Sequence, residues 1–107
     1  SFAEFYKNDD TGQVSFFIAK KGKIRGHHFH HSKVEKFLVV QGKAIFNMFD
    51  ISTKKKLSFK LDDKNLKIVE SIPGYQHYIK NVGNSDLIVL LWSNEIFDVK
   101  KPDTYKI

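Results

Sequence analysis

The sequence predicts an all-β domain in which two sheets close over one interior. Short segments with strand-like patterns recur along the chain, and turn residues separate them at intervals typical of a β-sandwich or barrel. No segment has the periodicity of a long helix. The segments 44-AIFNMFD-50 and 86-DLIVLLW-92 are too apolar on both faces for a one-sided sheet. Two sheets packed over a common core are therefore expected.

Eight strands are predicted, and each is bounded by residues that favour turns. The strands are expected at 14–19, 24–31, 35–41, 43–51, 56–61, 66–71, 75–81 and 86–92. Turns are indicated by Lys21-Gly22, Gln41-Gly42, Asp62-Asp63, Pro73-Gly74 and the run 81-NVGNSD-86. The lysine run 54–56 lies between two of these strands and is expected in a solvated turn.

The length of 107 residues fits one domain, and a hydrophobic content of 41% is enough to build a core. No apolar run approaches the roughly 18 residues needed to cross a bilayer, so no membrane association is expected. The chain has no cysteine, which fits a reducing compartment, and we expect a cytoplasmic protein. Because it begins at Ser1 without an initiator Met, we interpret it as a piece of a longer protein.

The net charge of +6 favours an anionic ligand. However, Arg25 is the only arginine among 18 basic residues, and arginine is the preferred residue for base readout and bidentate phosphate contacts. The lysines are also scattered along the chain. We therefore expect no nucleic-acid partner, and a small anionic substrate such as a sugar nucleotide suits the charge equally well.

Four of the five histidines fall within residues 27–31, on a predicted strand. Alternation places His28 and His30 on one face of this strand. His27 and His31 lie on the other face, where a surface or packing role is expected. A turn after them would bring Glu35 back beside the pair, and His77 is the remaining histidine. Three nitrogens and one carboxylate oxygen suit Zn, Mn, Fe or Ni.

Two motifs carry a resemblance to a known superfamily. The spacing Gly22-x5-His28-x-His30-x4-Glu35-x6-Gly42 resembles the first cupin motif, and Pro73-Gly74-x2-His77-x3-Asn81 resembles the second. The resemblance implies a cupin-type jelly-roll barrel, also called a double-stranded β-helix, spanning residues 1–107 with a metal inside. It implies the ligands His28, His30, Glu35 and His77, with Zn²⁺ the first choice of metal.

The segments 24–46, 72–83 and 91–98 further resemble the C-terminal cupin domain of the CapF-type enzymes of capsular polysaccharide synthesis. That family is bifunctional and homodimeric. The resemblance implies that this domain epimerises C3 of a UDP-2-acetamido-2,6-dideoxy-4-keto-hexose, while an N-terminal reductase domain uses NADPH. No Gly-rich phosphate loop follows a strand in these residues, so this chain itself is not expected to bind NADPH.

Roles can be assigned to residues from the chemistry that epimerisation needs. His30 or a metal-bound hydroxide would be the base, and Tyr75 or Tyr78 the acid. Arg25 would contact the diphosphate of the substrate. Three alternatives stay open: a metal that is structural while catalysis occurs elsewhere in the pocket, a metal-dependent oxygenase, and a non-catalytic module that binds sugar or forms the dimer.

Overall fold

The computed structural model describes residues 2–30, 34–71, 73–94 and 104–106; the side chains of 27–30 and 104–106 lie outside that description. The described residues form ten strands. These are β1 (Phe2–Asn8), β2 (Gly12–Ala19), β3 (Ile24–His30), β4 (Glu35–Gln41), β5 (Lys43–Asp50), β6 (Lys56–Asp62), β7 (Ile68–Ser71), β8 (Tyr75–Asn81), β9 (Leu87–Ser93) and β10 (Thr104–Lys106).

The strands form two five-stranded antiparallel sheets. Sheet A has the order β1-β2-β9-β4-β7, and sheet B has the order β10-β3-β8-β5-β6. Except for the hairpins β1–β2 and β5–β6, neighbouring strands are not consecutive in the chain, as with β2 and β9 in sheet A. The prediction of an all-β chain with two sheets is confirmed. Within the described ranges, no helix has the length and hydropathy needed to cross a membrane.

The core lies between the sheets and consists of side chains at alternate strand positions. Burial alternates along the central strands, most clearly on β2, β4, β5 and β8. The largest fully buried hydrophobic side chains are Phe46, Ile79, Leu87, Val39 and Val89. Phe37 and Val39 are both buried, so the alternate side chains that follow Glu35 on β4 point inward.

Asn81 ends β8 and holds the following turn. Its side-chain amide donates hydrogen bonds to the carbonyls of Ala19 and Ser85, both at 2.9 Å. Its Oδ1 accepts a hydrogen bond from the backbone N–H of Gly83 at 2.9 Å. Since Asn81 is fully buried, these three bonds satisfy polar groups that water cannot reach.

The eight predicted strands are all present, with ends shifted by up to two residues. Two strands were not predicted. β1 escapes detection because a bulge between Glu4 and Tyr6 breaks its alternation and because most of its residues are exposed. β10 has only three residues, too few to show a pattern.

Candidate metal and substrate site

Glu35 and His77 meet inside the barrel. Glu35 begins β4 in sheet A and His77 lies in the middle of β8 in sheet B. The Glu35 Oε1 atom is 3.5 Å from the His77 Nε2 atom, and the two residues are only 8% and 6% exposed. A carboxylate and an imidazole that are distant in sequence are therefore brought together in a water-poor interior.

The ring of His77 is fixed by its neighbours. Phe46 stacks on it with a centroid separation of 5.8 Å and an interplanar angle of 8°, and Phe37 contacts it at 5.2 Å. Ser71 Oγ lies 3.1 Å from His77 Nδ1, and Ser71 is 1% exposed. A hydroxyl can donate to a bare Nδ1 or accept from a protonated one, so Ser71 can serve either tautomer. In both cases the Nε2 atom faces Glu35.

Glu35 stands in a row of buried polar residues across sheet A. In the strand register Gln13 lies opposite Ser93, Ser93 opposite Glu35, and Glu35 opposite Ser71. All four side chains are buried, and Gln13 Nε2 also donates to Ser15 Oγ at 2.9 Å. Buried polar groups need partners. A cluster of them at one end of an apolar core marks a surface suited to a polar ligand.

β3 approaches β8 through a bulge at the histidine cluster. The register pairs Gly26 with Tyr78 and His28 with His77, so His27 is the additional residue. Gly26 has φ of +117°, and a Cβ atom there would lie 2.7 Å from the carbonyl oxygen of His77. Only glycine suits this position. The backbone of His28 is thereby placed directly opposite that of His77.

The three other predicted site residues whose side chains are described lie in different places. Tyr75 is two residues from His77 on β8, shares its face, and packs against the core. Tyr78 lies on the opposite face of β8, and the structure does not bring it to Glu35 and His77. Arg25 pairs with Ile79 on the inner face, and its guanidinium carbon is 5.0 Å from the centroid of the Phe17 ring.

The side chains of His27, His28 and His30, and all of His31, lie outside the described residues, so their predicted roles stay predictions. Among the side chains that are described, no group of three or more carboxylates and imidazoles converges. The Glu35–His77 pair itself fits a metal. Two tetrahedral ligands bound at about 2.1 Å are about 3.4 Å apart, close to the observed 3.5 Å. The nitrogen and oxygen donors match the preferences of Zn²⁺.

Comparison with solved structures first defines the fold class of the chain. The structure matches NovW, a 4-keto-6-deoxy sugar epimerase from Streptomyces spheroides, with a TM-score of 0.80 and 17% identity over 91% of this chain and 51% of that one. At this identity the likeness shows the fold alone. Together with the two sheets, it confirms the predicted cupin-type jelly roll.

The family follows from closer matches. The family model for the polysaccharide biosynthesis C-terminal domain matches residues 1–105, and the chain belongs to that family. The capsular polysaccharide assembling protein CapF from Staphylococcus aureus superposes with a TM-score of 0.96 and 40% identity over 99% of this chain. A Pseudomonas aeruginosa protein named UDP-2-acetamido-2,6-beta-L-arabino-hexul-4-ose reductase is 48% identical over 105 residues, or 98% of this chain.

These two relatives are much longer than the chain, which spans 31% of CapF and 28% of the P. aeruginosa protein. In both, the match covers less than a third of a longer protein. The predicted resemblance to the CapF-type enzymes is confirmed.

Sequence reasoning missed Ser71, Gln13 and Ser93. Serine and glutamine in strands carry no chemical signal of their own. Their importance comes from the register, which places them beside Glu35 and His77. The separation of Tyr75 from Tyr78 did have a signal, because strand alternation puts residues 75 and 77 on one face and residue 78 on the other.

Proposed function

We propose that this chain epimerises C3 of a UDP-2-acetamido-2,6-dideoxy-4-keto-hexose in the synthesis of capsular polysaccharide precursors. The observation that carries the proposal is the buried Glu35–His77 pair between the two sheets of a chain of this family. The name of the P. aeruginosa relative supports the sugar class. Since the chain spans 28% of that reductase, NADPH is proposed to bind to another part of the whole enzyme.

The reaction sets the requirements for the site. The proton on the carbon beside the ketone must be removed, and a proton must be returned to the opposite face. Negative charge develops on the ketone oxygen between these two steps. An interior with fixed dipoles stabilises such a charge more strongly than water does. The row of buried polar residues from Gln13 to Ser71 is proposed to orient the sugar in the barrel interior.

His28, His30, Glu35 and His77 are proposed to hold one divalent cation, Zn²⁺ in the first place and otherwise Mn, Fe or Ni. Such an ion would supply Lewis-acid stabilisation of charge on the ketone oxygen. Glu35 and His77 would keep the donor atoms in position because both are buried. Ser71 would hold His77 with its Nε2 atom directed to the site.

The two proton transfers are assigned to Tyr75 and His30. Tyr75 is proposed as the proton donor because it shares the face of His77 and packs at the edge of the core. His30 is proposed as the base in the arrangement in which it stands off the cation and His28, Glu35 and His77 alone hold it. Arg25 is proposed to contact the diphosphate, since its cation lies on the inner face over Phe17 and is only partly exposed.

Solvent exchange tests the reaction directly. The chain is incubated in deuterated water with the 4-keto sugar nucleotide and no NADPH, and deuterium at C3 is measured by NMR. Label is expected at C3 because the deprotonated sugar takes its new proton from a solvent-exchanged acid. Substrate that binds but exchanges no faster than in buffer would refute the epimerase and favour the sugar-binding module.

A matched pair of variants tests the assignment of the acid. Tyr75→Phe should slow the exchange at least about a hundredfold, the lower end of the range that a general acid contributes. Tyr78→Phe removes the same atom from the opposite face of β8 and should exchange at the parental rate. Equal rates in both variants would overturn the assignment to Tyr75.

The assembly is proposed to be a homodimer that uses the edge strand β1. Phe2, Phe5 and Tyr6 on β1 are 52%, 77% and 49% exposed, which is unusual for an unpartnered edge. Phe5→Glu should shift the mass measured by light scattering from dimer to monomer. A mass unchanged by this substitution would place the dimer contact elsewhere.

A further inference from the structure

The outer face of sheet B carries a groove that the proposed reaction does not use. It encloses about 470 Å³ and lies over β3, β8, β5 and β6. A smaller hollow of about 310 Å³ adjoins it, and the two share Asn47 and Tyr78 as lining residues. Tyr78 is thus placed in this groove, on the opposite face of β8 from His77.

The strand register arranges the groove in two rows. In one row Ile24 lies opposite Lys80, Lys80 opposite Ile45, and Ile45 opposite Lys60. Neighbours across strands are about 5 Å apart, so two lysines flank Ile45 on the same face. In the next row Tyr78 lies opposite Asn47, and Asn47 opposite Ser58. Ser58 Oγ donates to Asn47 Oδ1 at 2.6 Å.

The charged side chains that line the groove and the hollow are all lysines. Lys60 and Lys80 line the groove, Lys56 lines the adjoining hollow, and no carboxylate lines either of them. None of these three lysines makes an ion pair with the part of the chain that the structure describes. Asp62 follows Lys60 by two residues on the same face of β6, and its Oδ1 accepts hydrogen bonds from the N–H groups of Lys64 and Asn65. The three lysines favour an anionic ligand.

The side chains that line the groove indicate which class of anionic ligand it would bind. Tyr78 and Ile45 offer apolar surface, Asn47 and Ser58 offer hydrogen-bonding groups, and the lysines offer charge. A sugar ring has one apolar face and a rim of hydroxyls, and an acidic sugar adds a carboxylate. Nucleic acid fits less well because the groove has no arginine for bidentate contacts. We propose that this groove binds an acidic oligosaccharide, independently of the reaction proposed for the barrel interior.

The test uses the whole chain and a short oligogalacturonate as the probe. Chemical-shift changes in ¹H–¹⁵N spectra should cluster on β5, β6 and β8. Neutral malto-oligosaccharide of the same length should bind at least about tenfold more weakly, because it lacks charges for the lysines. Lys60→Gln with Lys80→Gln should weaken oligogalacturonate binding about fivefold or more.

Two control variants distinguish a specific binding site from general electrostatic attraction. Lys7→Gln with Lys36→Gln removes the same charge from sheet A and should leave the affinity unchanged. Tyr78→Ala keeps the charge and should weaken binding about tenfold through lost contact area. Equal losses from both lysine pairs, no effect of Tyr78→Ala, or tighter binding of oligothymidylate than of oligogalacturonate would each overturn the proposal. Deuterium exchange at C3 should be unaffected by the lysine substitutions.

Discussion

Replacing Ser71 by alanine should destabilise the protein through the histidine that Ser71 holds. The hydroxyl lies 3.1 Å from His77 Nδ1, and both residues are buried. Without it, a polar ring nitrogen is left in an interior that water does not reach. An unsatisfied buried group costs about 1–3 kcal/mol. For a domain of this size, 1 kcal/mol lowers Tm by about 5 °C, so a decrease of about 5–15 °C is expected.

Urea unfolding followed by far-UV circular dichroism measures this loss. Ser58→Ala provides the control, because Ser58 is exposed and a surface substitution usually changes stability by less than about 0.5 kcal/mol. The ¹⁵N shifts of His77 should also change in Ser71→Ala, since Nδ1 loses its hydrogen-bond partner. Equal stability of the two variants, together with unchanged His77 shifts, would refute the positioning role of Ser71.

Three further predictions follow from other sites. Asn81→Ala removes three hydrogen bonds made by a buried side chain and should cost about 2–4 kcal/mol in urea unfolding. The exposed Asn84→Ala should cost almost nothing, and equal losses would contradict this assignment. Hydrogen bonds from the Ser52 hydroxyl and the Thr53 backbone lower the pKa of Asp50 from its usual 3.8. The ionised carboxylate therefore stabilises the fold above about pH 4, and this stabilisation is lost as the pH falls through the lowered pKa. In carboxyl NMR titrations Ser52→Ala should raise the pKa of Asp50, and an unchanged pKa would contradict the stated cause. Glu35→Gln keeps the shape of the site but removes a negative ligand, so elemental analysis should find less metal while the β-sheet signal persists. Full metal content in that variant would exclude Glu35 as a ligand.

The sequence was most informative about strands buried on one or both faces. β5 and β8 have clear patterns because every second side chain enters the core. β1 was missed because it lies at an exposed edge and contains a bulge, so burial imposes no period on its residues. Periodicity detects burial rather than hydrogen bonding. An edge strand can be hydrogen-bonded to its neighbour without having a buried face.

The candidate site was predictable only where chemistry is tied to residue type. Histidine and glutamate at a fixed spacing are rare enough to notice, and Glu35 and His77 do meet in the structure. Ser71 was not predictable, because its contact depends on how β4 pairs with β7 and on how the two sheets are stacked. Neither can be read from the local pattern, since each joins segments that are far apart in the chain.

Glu35 lies on one sheet and His77 on the other, so a ligand bound at this site affects the opening fluctuations in which the two sheets separate. Any ligand that contacts both residues must be released, or lose one partner, before the sheets can part. Binding therefore opposes this opening by a factor of one plus the ligand concentration over Kd. At a hundredfold excess over Kd, amide hydrogen exchange that requires this opening should slow about hundredfold. The slowing should appear together in β4 and β8, although no hydrogen bond joins those two strands.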